Sequence, residues 1–510
     1  MKEDIMSKKE SRTGLVVAGL LLGILMAAMD NTIVSASMPT IVGELGGLEQ
    51  FIWVTSAYLV ATMASMPIFG KLSDMYGRKR FYLLGLAVFL IGSALCGTAQ
   101  TIVQLSIYRA IQGIGGGSLM PIAFTIIFDI FPPEKRGKMT GLFGAVFGLS
   151  SVIGPLLGAF ITDQISWRWI FYINLPLGIL SLFLIGPFYK ETLQLRRLKI
   201  DWYGAVTLVG SVVSLMFALE LGGNKYAWDS AQIISFFIIF AVLFAAFLVI
   251  ERKVQEPIIS MSLFKRQLFA ATQAVAFFYG AAFIIATVLI PLFVQSVYGG
   301  TATNSGVILI PMMVGSVAGS QLSGLSVRRF SYRAIMLVSV ILFFIGMCLL
   351  GTIDADTGRS TLTIFMIIAG VGMGCSFSLL SMSTQHKMEP QKRGIATSTN
   401  TFFRTLGMTI GVTIFGSIQN KLFQNDLKEA LGSLKGFAGN IDSRALLSAD
   451  MRAKIPAGIL HKISGAMADS VSATFTWTLI PISLGFIAII LMGKERLMPS
   501  KLGASDKQVS

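Results

Sequence analysis

Apolar residues along this chain gather into long unbroken runs separated by short polar connections, a pattern unlike the period-two alternation of half-buried strands. Fourteen runs reach or approach the roughly 20 residues that carry a helix across a bilayer: 14–37, 51–70, 81–99, 103–127, 138–162, 168–189, 201–220, 231–250, 268–297, 303–325, 333–352, 361–384, 396–419 and 470–493. Hydrocarbon offers no partner to an unpaired backbone group, so runs of this length predict spanning helices and an all-α polytopic membrane protein. Composition agrees. With 510 residues, 54% of them hydrophobic and 13% charged, and a mean hydropathy of +0.73, the chain has more apolar surface than a soluble core of its length can hide.

The formal charge of +15 would suit a nucleic-acid partner, but its placement points elsewhere. The termini and the even-numbered connections, counted with the span-end Lys138 and Arg333, hold 29 of the 41 Lys and Arg, whereas the short connections on the opposite face hold Arg168, Lys225 and Arg359. The positive-inside rule therefore predicts a multi-pass plasma-membrane protein with both termini cytoplasmic. One connection resists the rule. The stretch 420–469 falls outside in this topology yet holds seven Lys and Arg against five acids. Its Phe423, Leu427, Ala430, Leu431 and Leu434 recur at helical spacing, which predicts an amphipathic helix or hairpin on the outer surface; the alternative is a further span. Cys96, Cys348 and Cys375 lie within spans without metal or redox spacing, and His386 and His461 suggest no metal pair, so no metal or cofactor is expected. The first apolar run is too long for a cleaved leader and contains Asp30.

An internal repeat orders the spans. "IQGIGGGS" at 111–118 and "PPEKRG" at 132–137 return as "IAGVGMGC" at 368–375 and "EPQKRG" at 389–394, both displaced by 257 positions; "GKLSDMYGRKR" at 70–80 has a looser echo in "GLSVRRFSYR" at 324–333. The chain thus divides into a tail at 1–13, a six-helix bundle at 14–189, a linker with two inserted helices at 190–267, a second six-helix bundle at 268–493 that includes 420–469, and a tail at 494–510. Such repeats place a substrate site between the halves. Departures from the repeat are informative too: Arg109 aligns with Met366, and Arg404 with Phe147.

Four motifs carry the chemistry. In "GKLSDMYGRKR", Gly70 and Gly77 permit a tight reversal, Asp74 can cap or pair, and Arg78 anchors at the interface. In "YRAIQGIGGGS", Arg109 stands about six residues inside its run, where an arginine costs at least about 3 kcal/mol and demands a partner or a watery cavity; snorkelling to the surface is the competing explanation. In "GAVFGLSSVIGPLLG" at 144–158, Gly148 follows Gly144 by four positions as Gly158 follows Gly154, and Pro155 opens the helical ladder, spacing suited to close, bent packing. In "MDNTIVSASMP" at 29–39, Asp30 sits roughly 24 Å along its helix at about 1.5 Å per residue. A buried carboxylate is held neutral by desolvation and ionised by a nearby cation, so a conformational change in either makes it take or release a proton. Permanent pairing or capping of Asp30 is the competing explanation.

Taken together, these motifs and the fourteen runs resemble the fourteen-helix drug:proton antiporter branch of the major facilitator superfamily, over nearly the whole chain. "WRWIFYINLPLG" at 167–178 adds to the likeness; Ser35 and Ser37 depart from the usual first-helix pattern. The resemblance implies a secondary active transporter, not an enzyme, in which Asp74 and Arg78, with Asp129 as a candidate third member, latch the halves on the cytoplasmic side and Arg109 takes part in proton transfer. It also implies that the Gly-Pro motif of the fifth run marks an exporter. Glu220, in "FALELGG" at 217–223, is a further candidate for coupling that simple exposure to water would equally explain, and Arg404 is either a cavity charge or a snorkelling one. Trp53, Tyr58, Phe147 and Tyr279 are candidates for an apolar cavity, against the commoner roles of packing or facing lipid.

The expected activity is proton-coupled efflux of hydrophobic, cationic or zwitterionic small molecules by a monomer, without ATP, since no phosphate-binding loop is present. The competing readings are an exporter of one specific metabolite or antibiotic, a proton-coupled importer, and a membrane enzyme or channel, which no nucleophile and base pair or filter-like loop supports.

Overall fold

A computed structural model describes residues 2–46, 52–191, 200–223, 225–299, 308–327, 329–431 and 457–496. In chain order the helices are α1 (Lys2–Leu45), α2 (Ile52–Tyr76), α3 (Arg78–Gly97), α4 (Ile102–Ile130), α5 (Pro133–Gln164), α6 (Trp169–Tyr172), α7 (Asn174–Ile185), α8 (Trp202–Leu221) and α9 (Ala231–Lys253). They continue as α10 (Met261–Phe264), α11 (Gln267–Val297), α12 (Ile310–Ser326), α13 (Tyr332–Leu350), α14 (Arg359–Thr384), α15 (Arg393–Leu431), α16 (Ala457–Trp477) and α17 (Leu479–Ile490). Every run read from the sequence overlaps one of these helices or, for α6 with α7 and α16 with α17, a broken pair. Among the described residues, eleven helical stretches are long and apolar enough to cross a membrane. Trp169–Ile185 is a shorter apolar one.

Helix ends form where the chain supplies acceptors for the first free N–H groups. Thr101 accepts from Gln104, Asp201 from Gly204, Ser230 from Ile233 and Ser331 from Ala334. Gly77, between α2 and α3, has φ of +104°, a conformation closed to side-chained residues at low cost, which explains the glycine in that tight reversal.

The two halves repeat one packing scheme. A Cβ at Gly92 of α3 would fall 2.5 Å from the Cα of Gln112 in α4, and a Cβ at Gly346 of α13 would fall 2.5 Å from the Cα of Ala369 in α14. Backbones approach this closely only where no side chain intervenes, so one glycine contact recurs at matching points of both bundles. The inserted pair is unequal. Helix α8 buries Leu208, Val212 and Met216 against Val60, Met63 and Ala64 of α2 and Phe402 of α15, whereas α9 leaves Ile234, Phe237, Ile238 and Val242 exposed, as a lipid-facing helix does.

Helix α15 runs 39 residues without a break, past 419 to Leu431. The helical spacing of Phe423 and Leu427 is used there: both are buried in one cluster with Ile463, Ala466 and Met467 of α16, so the far end of α15 pairs with its successor. Leu434 and the rest of 432–456 lie outside the described residues.

Candidate functional site

Asp30 sits on α1 with no solvent exposure, and three polar side chains from two other helices converge on it. Arg109 of α4 donates from Nη1 to Asp30 Oδ2, forming an ion pair. Gln112, one turn along α4, donates to Asp30 Oδ1 at 2.8 Å, and Asn174 at the start of α7 donates to the same oxygen at 3.1 Å. The guanidinium spends its remaining donors nearby: Nε to the Val54 carbonyl at 3.2 Å, Nη1 to Gln112 Oε1 at 2.7 Å and Nη2 to Asn31 Oδ1 at 3.4 Å. The Tyr58 ring lies 4.1 Å from the guanidinium carbon. Ser93 of α3 accepts from Asn174 at 3.0 Å and donates to the Phe171 carbonyl at 2.8 Å. Moving either charge into a dry interior costs several kcal/mol, and only dense hydrogen bonding of this kind offsets it. Gln112, Asn174 and Ser93 are members that sequence reasoning missed; the polar residues inside apolar runs were the available signal.

The glycines of 144–158 divide their work. A Cβ at Gly154 would collide with Thr32 Oγ1, and one at Gly158 would lie 2.7 Å from the Ile33 carbonyl, so this part of α5 packs on α1 beside Asp30, with Pro155 between. A Cβ at Gly148 would meet Met313 of α12 at 3.0 Å, across the boundary between halves.

The halves meet closely at the end carrying 70–80 and 389–395. Asp74 of α2 accepts from the backbone N–H groups of Gly394 (2.9 Å) and Ile395 (2.8 Å), so a carboxylate of the first half caps the N-terminus of α15 in the second. Arg78 pairs with Asp74 (3.4 Å) and with Asp129 of α4, and also donates to the Pro390 carbonyl. Arg393 reaches Asp129 at 3.0 Å. Burial is the largest influence on Asp74 and pushes its carboxyl up to about 6, against the pull of Arg78 and the two N–H groups. At Gly70 a Cβ would run into Ser398 Oγ. On the opposite side, Gly137 of α5 and Gly324 of α12 touch backbone to backbone; a Cβ at Gly137 would fall 2.5 Å from Gly324 Cα. Gly137 and Gly394 are counterparts in the repeat, as are Gly324 and Gly70, so two related crossings close this end, and an acid cap is added at one. A groove of about 1050 Å³ opens beside it, lined by Lys71, Asp74, Glu251, Glu256, Lys265 and Lys392, with Lys71 and Glu256 paired at 2.6 Å.

Other candidates sit apart from Asp30. Glu220 faces Ser56 of α2 at the end of α8. Trp53 packs edge-on against Phe217 of α8 at 4.9 Å, and Tyr279 is fully buried against Phe343 with its hydroxyl 3.3 Å from Ser339. The Phe147 side chain lies outside the described residues. Arg404 of α15 is 7% exposed, its guanidinium carbon 4.9 Å from the centre of the Phe377 ring of α14. Among the described residues no acceptor bonds its guanidinium. A ring contact of this kind offsets about 0.5–2 kcal/mol, less than the roughly 3 kcal/mol that an arginine costs at depth.

A profile described as "Major Facilitator Superfamily" matches residues 20–201 and 194–412. The chain belongs to that superfamily. Its fold, all-helical with two related bundles, is therefore a major facilitator fold, and it is a multi-pass membrane transporter. Multidrug resistance protein 3 of Bacillus subtilis (strain 168) is 59% identical over 500 residues, covering 97% of this chain and 98% of that protein. Multidrug transporter protein MdtP of the same organism is 36% identical over 522 residues, covering 98% and 96%. Among solved structures, the human organic anion transporter MFSD10 superposes with a TM-score of 0.59 over 92% of this chain and 99% of that one at 16% identity, and the proton:xylose symporter XylE with 0.58 over 92% and 96% at 14%. At that identity the likeness is one of superfamily fold.

Proposed function

We propose that this major facilitator is a proton-driven multidrug exporter of the plasma membrane, moving hydrophobic, cationic or zwitterionic compounds outward by alternating access as a monomer with cytoplasmic termini. The relatives named multidrug resistance and multidrug transporter proteins support efflux. The observation that carries proton coupling is the Asp30 carboxylate, sealed from water and held by Arg109, Gln112 and Asn174. A proton arriving from outside neutralises it and removes its attraction for Arg109, so α1 and α5, packed through Gly154 and Gly158, move relative to α4. Opening then requires Asp74 to leave the N-terminus of α15 and the Gly137–Gly324 crossing to part. Re-pairing of Asp30 with Arg109 expels the proton inward and resets the cycle. One proton crossing about 150 mV delivers roughly 3.5 kcal/mol, enough for an outward gradient of about 300-fold.

Ethidium efflux from proteoliposomes under an imposed pH gradient tests this reading. Uphill efflux should stop when the pH gradient and voltage are collapsed; continued concentration of ethidium would overturn the coupling. An exporter of one specific compound would move a single member of a chemically varied panel, and an importer would run the dye the other way.

A further inference from the structure

The Asp30 cluster, the Asp74 crossing and the Lys71–Glu256 pair hold the buried charges described in the first half, but nothing comparable holds Arg404 in the second. It stands eleven residues into α15, about 16 Å from that helix's start, too deep to snorkel from it. Its exposure is 7% and, among the described residues, it has no carboxylate, hydroxyl or carbonyl partner. None of its nitrogens is both sealed and unbonded, so its unbonded donors keep some accessible surface. The two helices that carry Arg404 and Phe377 border the seam between the halves. Both helices that hold Arg404 reach across it, α14 through Ser378 to Thr140 (2.7 Å) and α15 through Thr409 to Met63 (3.7 Å). Phe377 lies against the guanidinium, and Phe283 of α11 packs edge-on to Phe377 at 6.0 Å. A fixed cation with free donors beside an aromatic wall matches a planar ring bearing a carboxylate, the ring on the phenylalanines and the carboxylate on the guanidinium fork.

We propose that Arg404 and Phe377 form an anion-accepting subsite of the transport pathway, which makes aromatic amphiphiles carrying a carboxylate, zwitterions above all, substrates in addition to simple cations. This rests on the transport reading above and narrows its substrate class. Removing a counter-charge from the cargo should therefore weaken binding, although the cargo becomes more hydrophobic.

Rhodamine 110 and its methyl ester rhodamine 123 share one ring system and differ in the free carboxylate, so binding of each to the purified detergent-solubilised protein, read by fluorescence anisotropy, isolates the subsite. Rhodamine 110 should bind about tenfold more tightly to Arg404→Gln's parent than to that variant, with rhodamine 123 changed less than about twofold, and Arg404→Lys should recover part of the loss because it keeps charge without the fork. Equal losses for both dyes, no loss for either, or wild-type protein that prefers the ester would each overturn the proposal. Unchanged thermal unfolding and gel-filtration profiles of the variants separate a lost subsite from a lost fold. Binding needs no pH gradient, so failure of proton coupling and failure of the subsite are read in different experiments.

Discussion

Arg109 and Arg404 both stand deep in spanning helices, one in each half, and their surroundings are opposite. Around Arg109 the protein supplies a carboxylate, two side-chain amide oxygens, a backbone carbonyl and a tyrosine ring. Around Arg404 the described residues supply one phenylalanine ring. The repeat explains how this arose on one scaffold, since Met366 occupies the position of Arg109, and Phe147 that of Arg404. A paired charge can store and release a proton when its partner moves; an unpaired charge is poised to receive something from outside the protein.

The sharpest way to break the comparison is to neutralise the acid on the paired side. Asp30→Asn should reduce uphill ethidium efflux to background, at least about 100-fold, in proteoliposomes while the protein still folds and inserts. Unchanged efflux would leave the Asp30–Arg109 pair a structural tie. Next come the arginines themselves. Arg109→Gln strands a buried carboxylate and should cost about 3–5 kcal/mol, seen as a clear fall in the thermal unfolding midpoint, whereas Arg404→Gln removes an uncompensated charge and should leave the midpoint level or higher. Equal destabilisation by the two would erase the distinction.

A smaller effect belongs to the crossing of the halves. Gly137→Ala places a Cβ against the Gly324 backbone and should slow efflux about tenfold by obstructing closure, whereas Gly416→Ala, with nothing within 4 Å, should be silent. The smallest concerns pH at the same end. Asp74 is buried when the halves are locked and its carboxyl is pushed up to about 6, while in an opened gate it would titrate near the ordinary value of about 4. The locked form thus binds the proton more tightly, so locking is favoured as pH falls from about 6 towards 4 and the burial penalty is present in full above 6. Distances between labels on α2 and α15 should shift several-fold towards the locked population over that window, and Asp74→Asn should flatten the response.

Depth was the legible quantity. An aspartate or arginine in the middle of an apolar run announces itself, and so Asp30, Arg109 and Arg404 stood out without coordinates. Azimuth was not legible: whether Trp53 turned to a cavity or to Phe217, or Tyr279 to cargo or to Ser339, depends on how a helix is rotated against its neighbours, and a run apolar on all sides carries no such signal. The partners of Asp30 were hidden for a related reason. Gln112 and Asn174 are neutral and inexpensive at a helix face, so they drew no attention until α4 and α7 were seen to point at one carboxylate.

By itself the chain determined the spans, the duplicated halves and the buried charges, because hydrocarbon tolerates neither unpaired backbone nor unneeded ions and both demands are local. Only the tertiary structure decided which charges found partners. Asp74 meets Gly394 across 320 positions and Asp30 meets Asn174 across 144, and pairing at such separations is set by how whole helices pack, not by any stretch of sequence.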